Sequence, residues 1–210
     1  MGGVFSWWTA AKPANFSFTY QLQWILVILL GIGSAVFHGS LTLLGQHMDE
    51  DIMVLISLNW IYSVSHSFLA PHKRVWLITA MLCYGFLFLS LHHTYHWVEE
   101  FQNHFILLIG LSIPGVVGLY KQGSTSEKRC ICLMVTYLIL SSITWLVDHH
   151  LCSQLPWMQT YPPHALWHLF MAMFALMGGS VAFSASYKEL DIELKFLTIP
   201  FVVFKKDKGE

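Results

Sequence analysis

Ser34 and His38 stand four residues apart in Gly31-Ile32-Gly33-Ser34-Ala35-Val36-Phe37-His38. On a helix that spacing puts them on one face, a turn apart. His164 and His168 repeat it in His164-Ala165-Leu166-Trp167-His168. Two further ionisable stretches accompany them, Asp49-Glu50-Asp51 and Asp148-His149-His150. Three imidazoles with one position left open is the arrangement of a catalytic zinc, as opposed to a closed structural one. Such an ion lowers the pKa of its bound water to about 7. A neighbouring carboxylate can take the proton and pass it to a leaving group, a role that suits Asp49. Ser34 can hydrogen-bond the water or a developing oxyanion. The residues therefore nominate His38, His164 and His168 as zinc ligands, with Asp49 and Ser34 as catalytic groups. On residue type alone the alternative stays open that these histidines are packed or hydrogen-bonded side chains.

The elements that must position them follow from composition. Of 210 residues, 55% are hydrophobic, 15% aromatic and only 11% charged, and the mean hydropathy is +0.56. An ordinary soluble domain carries about 25% charged residues. The apolar surplus exceeds what one soluble core of this size takes up, which excludes disordered, collagen-like and soluble disulfide-scaffold classes. The formal net charge is -1, and no polybasic face points to nucleic acid. Cys83, Cys130, Cys132 and Cys152 lack the paired C-x-x-C spacing of a zinc ribbon and read as small apolar packers. The expected fold is all-α, a polytopic transmembrane bundle forming a single membrane domain over 1–210. A spanning helix needs about 20 mostly apolar residues. Six such runs are expected: Tyr20 to Leu44, Ile52 to Leu69, Val75 to Leu91, Phe105 to Tyr120 with a kink at Pro114-Gly115, Cys130 to Val147, and His164 to Ser186. No signal peptide is read in Met1 to Phe18.

The connecting segments alternate in charge. Lys12, Lys73, Arg74, Lys121, Lys128, Arg129 and the lysines after Ser186 fall on one side of a six-span chain. The opposite segments, Gln46 to Asp51, His92 to Glu100 and Asp148 to Pro163, contain no Lys or Arg. The positive-inside rule then places both termini, 1–19 and 187–210, in the cytosol. His38 lies six residues before Leu44, about 9 Å from the non-cytosolic end of its span at 1.5 Å per residue. Asp49, His164 and His168 enter from that same end. His47, His92, His93, His96, His149 and His150 are expected in loops, where solvation accounts for them.

The run Gly33-Ser34-Ala35-Val36-Phe37-His38-Gly39-Ser40-Leu41, with Asp49-Glu50 beginning fifteen residues after Ser34, resembles the first signature of the alkaline ceramidases. Asp148 and Cys152 in Trp145-Leu146-Val147-Asp148-His149-His150-Leu151-Cys152 resemble the second block, and His164-Ala165-Leu166-Trp167-His168 the third. The resemblance runs from about Gly31 to Ser186. It implies an integral-membrane amidase that splits ceramide into sphingosine and fatty acid. It also implies zinc on His38, His164 and His168, Asp49 as general acid/base and Ser34 as supporting hydroxyl. Ceramide within the bilayer and membrane lipids are the implied partners, and the endoplasmic reticulum or Golgi the implied location. Members of that family usually have seven spans, so the first is expected to be absent here. An acidic segment resembling a calcium site precedes that span in the family. Met1 to Thr19 has no Asp or Glu, so calcium dependence by that route is not expected. Cys152 is likewise expected to lack the N-terminal cysteine with which its family counterpart can pair, and Asp51 adds a third acid. A related lipid hydrolase acting on phospholipid esters would carry the same pattern. So would an inactive, truncated relative that binds sphingolipid.

Overall fold

Leu41 is where the first helix stops. In a computed structural model that describes residues 18–95, 98–151, 154, 163–187, 190–195 and 199–204, helix α1 (Phe18–Ser40) ends at a leucine with φ of 51°. This left-handed backbone costs a residue with a Cβ roughly 1–2 kcal/mol. Thr42 follows as the N-cap of α2 (Leu43–Ser65), its hydroxyl accepting the Gly45 N–H at 3.2 Å, while Ser40 Oγ lies 2.9 Å from Thr42 Oγ1. The first span was expected to run to Leu44, with Gln46 to Asp51 as a loop. The structure instead breaks the chain within two residues and winds Gln46 to Asp51 into the first turns of α2. Leu41, Leu43 and Leu44 prolong the apolar run past the break, so hydropathy does not register it. A short 3₁₀ turn, His66–Phe68, then leads to α3 (Pro71–Tyr95) and α4 (Val98–Gln122), and Pro114 lies inside α4.

The backbone clusters into two compact units, Met1–Gln122 and Gly123–Glu210. In the first, α2 is the inner helix: more than half of its residues are buried, and α1, α3 and α4 all pack on it. Glycines set the closest crossings. A Cβ added at Gly33 would stand 2.7 Å from the Met48 carbonyl oxygen, and one at Gly45 would stand 2.8 Å from Phe37 Cα. Small residues let helix backbones approach this closely without side chains between them. Deeper along the same pair, Asn59 Nδ2 donates to Gln23 Oε1 at 2.6 Å and to the Thr19 carbonyl at 3.1 Å.

The second unit holds α5 (Thr125–Leu151), α6 (Pro163–Ser186) and an antiparallel hairpin of β1 (Leu190–Lys195) and β2 (Ile199–Phe204). Side chains pair Glu127 with Ser184, Cys130 with Met177, and Asp148 with His164, so α5 and α6 run antiparallel. Ser124 and Glu127 form a capping box at the start of α5: Glu127 Oε2 accepts the Ser124 N–H at 2.7 Å, and Ser124 Oγ accepts the Glu127 N–H at 3.2 Å. The hairpin occupies what reads in sequence as a plain tail. Its first strand buries Leu190 and Ile192 and exposes Glu193, a period-two pattern too short to stand out beside six long apolar runs.

Among the described residues, five helices are long and apolar enough to cross a membrane: α1, α3, the Phe101–Gln122 part of α4, α5 and α6. They leave large apolar side chains such as Ile32, Trp76, Leu82, Phe86 and Ile106 exposed, as lipid-facing surfaces do. The protein is thus a polytopic helical membrane protein. The sixth helix, α2, is as long as α1 but carries Asp49, Glu50 and Asp51 in its first half. Cys152, the segment 1–17 and the lysines at 12, 188, 205, 206 and 208 lie outside the described residues.

Candidate functional site

Asp49 sits on the second turn of α2, buried to 5% exposure, and accepts a hydrogen bond from the Ser34 hydroxyl of α1. The Gly33–Met48 contact makes this possible: where the two backbones touch, the next residue on each helix comes within reach of the other. Burial, with the Glu50 carboxylate alongside, pushes the Asp49 pKa up to about 6, while the Ser34 hydrogen bond pulls against it. Its other oxygen, Oδ1, is buried without a hydrogen-bond partner. His38 is in the last turn of α1, on the face of Ser34. The expected six residues between His38 and the helix end become two, because α1 stops at Ser40.

The second unit supplies the other nominated histidines. His164 and His168, on the first turns of α6, have ring centroids 4.7 Å apart and meet edge to face. Asp148, in the last turn of α5, places Oδ2 3.1 Å from Nδ1 of His164. In the tautomer that carries its hydrogen on Nδ1, the ring donates to this carboxylate and Nε2 is left with a lone pair. This carboxylate–imidazole arrangement is the usual support behind a metal-binding histidine. Imidazole nitrogens are donors of the kind that zinc takes. His149, expected in a loop, is in the last turn of α5 and stacks on Trp145 at 5.2 Å.

Three further histidines expected in solvated loops are on helices instead, and two of them are buried. His47 belongs to α2 and is 6% exposed; His92 and His93 close α3, and His92 is fully buried. His92 Nε2 lies 3.1 Å from Glu50 Oε2, its ring stacks on Phe88 at 5.2 Å, and Glu50 Oε1 accepts from Gln46 Nε2 at 3.0 Å. Burial lowers the His47 pKa, helped by His92 and His93 alongside. The absence of Lys and Arg made these residues look like loop; the i,i+4 spacing of His47 and Asp51 is the signal that was available.

Long apolar helices define an integral membrane protein, and within its two units Ser34 meets Asp49 and Asp148 meets His164. The chain belongs to the ceramidase family, whose sequence profile matches residues 3–196. That match reaches past both ends of the Gly31 to Ser186 stretch carrying the signature blocks. An alkaline ceramidase of Arabidopsis thaliana is 26% identical over 208 residues, covering 95% of this chain and 80% of the relative. An alkaline ceramidase of Drosophila melanogaster is 24% identical over 172 residues, 72% of this chain and 55% of the relative.

Proposed function

We propose that the protein hydrolyses the amide bond of ceramide, with His38, His164 and His168 holding a zinc ion near the non-cytosolic membrane surface. The observation that carries this reading is the hydrogen bond between Ser34 and the buried Asp49. It sets a hydroxyl and a carboxylate together one turn from His38. When bound, zinc supplies a water that ionises near neutral pH and polarises the amide carbonyl. Asp49 takes the proton of the attacking water and delivers it to the amide nitrogen as the C–N bond breaks, releasing sphingosine and fatty acid. Ser34 gives its one hydroxyl hydrogen to Asp49 and so holds the carboxylate in place for this transfer. Asp148 holds the His164 ring through Nδ1, which would leave Nε2 to bind the ion.

The orientation proposed for the chain keeps Lys73, Arg74, Lys121, Lys128 and Arg129 on the cytosolic side, since these sit at the helix ends remote in sequence from the site residues. The amide of a two-tailed lipid lies just below the headgroup, the depth at which residues near the opposite helix ends would meet it.

The test is release of fatty acid from ceramide by purified protein in lipid nanodiscs, with zinc measured on the same sample. The wild type is expected to turn over, and the His164→Ala/His168→Ala variant to lose both turnover and the zinc it carries. Full activity in that variant would overturn the assignment.

A further inference from the structure

His47 and Asp51 lie four apart on α2, so they share a face, and His93 reaches them from the last turn of α3. His93 Nε2 is 2.7 Å from Asp51 Oδ2, and the His47 and His93 rings stack at 4.2 Å. One ligand atom from each of the three falls within 4.8 Å of the others. We propose that His47, Asp51 and His93 form a second metal site, for a zinc-class divalent ion, independent of His38, His164 and His168.

Donor chemistry selects the ion. Two imidazoles and one carboxylate suit zinc and its first-row neighbours, whereas calcium and magnesium prefer all-oxygen sets. Tetrahedral coordination at about 2.0–2.1 Å sets donor atoms about 3.4 Å apart. The three ligand atoms lie within 4.8 Å of one another, and the half-exposed His93 side chain has room to adjust to that spacing. The site is also backed from within. Asp51 Oδ1 is buried and, among the described residues, accepts no hydrogen bond, which leaves it available to a cation. Fully buried His92, held between Glu50 and Phe88, meets the His47 ring edge to face at 4.6 Å and fixes its orientation. An ion here would pin α3 to α2 beside the helix turn that carries Asp49.

Full-length protein in nanodiscs, stripped with chelator and titrated with Co²⁺, tests this through d–d absorption and bound-metal stoichiometry. The wild type is expected to bind two equivalents. His93→Ala and Asp51→Asn should each lose one of them, or bind it at least 10-fold more weakly. His164→Ala/His168→Ala should retain that equivalent. His93 is half exposed, so its truncation leaves the fold intact, and the unchanged melting temperature of the metal-free variant checks this. Unchanged stoichiometry and affinity in both His93→Ala and Asp51→Asn would overturn the site, whatever becomes of the hydrolase reading. Loss in these two with retention in the α6 double variant would establish it even if ceramide turnover were absent.

Discussion

Asp148 Oδ2 lies 3.1 Å from Nδ1 of His164, so the last turn of α5 sets the ring orientation of a residue on the first turn of α6. Replacing Asp148 by Asn keeps the shape but lets the side-chain amide offer an N–H where the ring also needs to donate. Loss of such a carboxylate behind a metal histidine typically costs 10- to 100-fold in affinity or activity. Asp148→Asn is therefore expected to weaken zinc retention about 10- to 100-fold, measured by competition with a chromogenic chelator. His164→Ala in the same background should add less than it does alone, since both changes act on one proposed ligand.

Gly33 offers a paired test. A methyl group there would meet the Met48 carbonyl at 2.7 Å, and backbone cannot step aside as a flexible side chain can. Gly33→Ala should push α1 from α2, destabilising the protein by about 1–3 kcal/mol and separating Ser34 from Asp49. Gly31, two residues earlier, has nothing within 4 Å of an added Cβ, so Gly31→Ala is expected to leave both stability and turnover near the wild type. Thermal unfolding and ceramide turnover of the two variants together check this. Equal behaviour of the two would show that the crossing is not as close as described.

The nominated residues were picked out by residue type and spacing together. Ser34 with His38 and His164 with His168 stand out as polar pairs inside apolar runs, and the Ser34–Asp49 contact agrees with that reading. Helix ends were less legible. At Leu41 the chain turns on one left-handed residue and a threonine cap, in the middle of an unbroken apolar stretch. His92 was misread for the opposite reason: a polar residue at the end of an apolar run looks like loop, yet Glu50 and Phe88 enclose it completely. Such burial depends on a partner 42 positions away, which no local pattern records.

Ser34 and Asp49 should separate by role when each is changed. Asp49→Asn removes the group proposed to carry the proton, and general acid–base catalysis of this kind is worth about 10²–10⁴-fold. Turnover is expected to fall by that amount with zinc content unchanged. Ser34→Ala removes the hydroxyl that positions the carboxylate but leaves the carboxylate itself, so a smaller loss is expected. The double variant should resemble Asp49→Asn alone. A purely additive double variant would show that the two act separately and would remove the Ser34–Asp49 contact from the chemistry.

Glu127 bears on stability, away from the residues proposed for chemistry. Its buried carboxylate accepts from the Ser124 N–H at 2.7 Å and from the Ser184 hydroxyl at 2.8 Å, tying the start of α5 to the end of α6. Ser124 Oγ in turn donates to Asp191 of β1 at 2.9 Å, so the hairpin is fastened to the same point. Glu127→Ala leaves two donors without their acceptor, and a buried group so stranded costs about 1–3 kcal/mol. Ser184→Ala removes one donor and leaves the capping box intact, a loss nearer 1 kcal/mol. The expected order of melting temperatures is wild type, Ser184→Ala, then Glu127→Ala. Bound zinc per protein is expected to stay constant across the three at low temperature, because the Asp148–His164 pair lies at the opposite end of both helices.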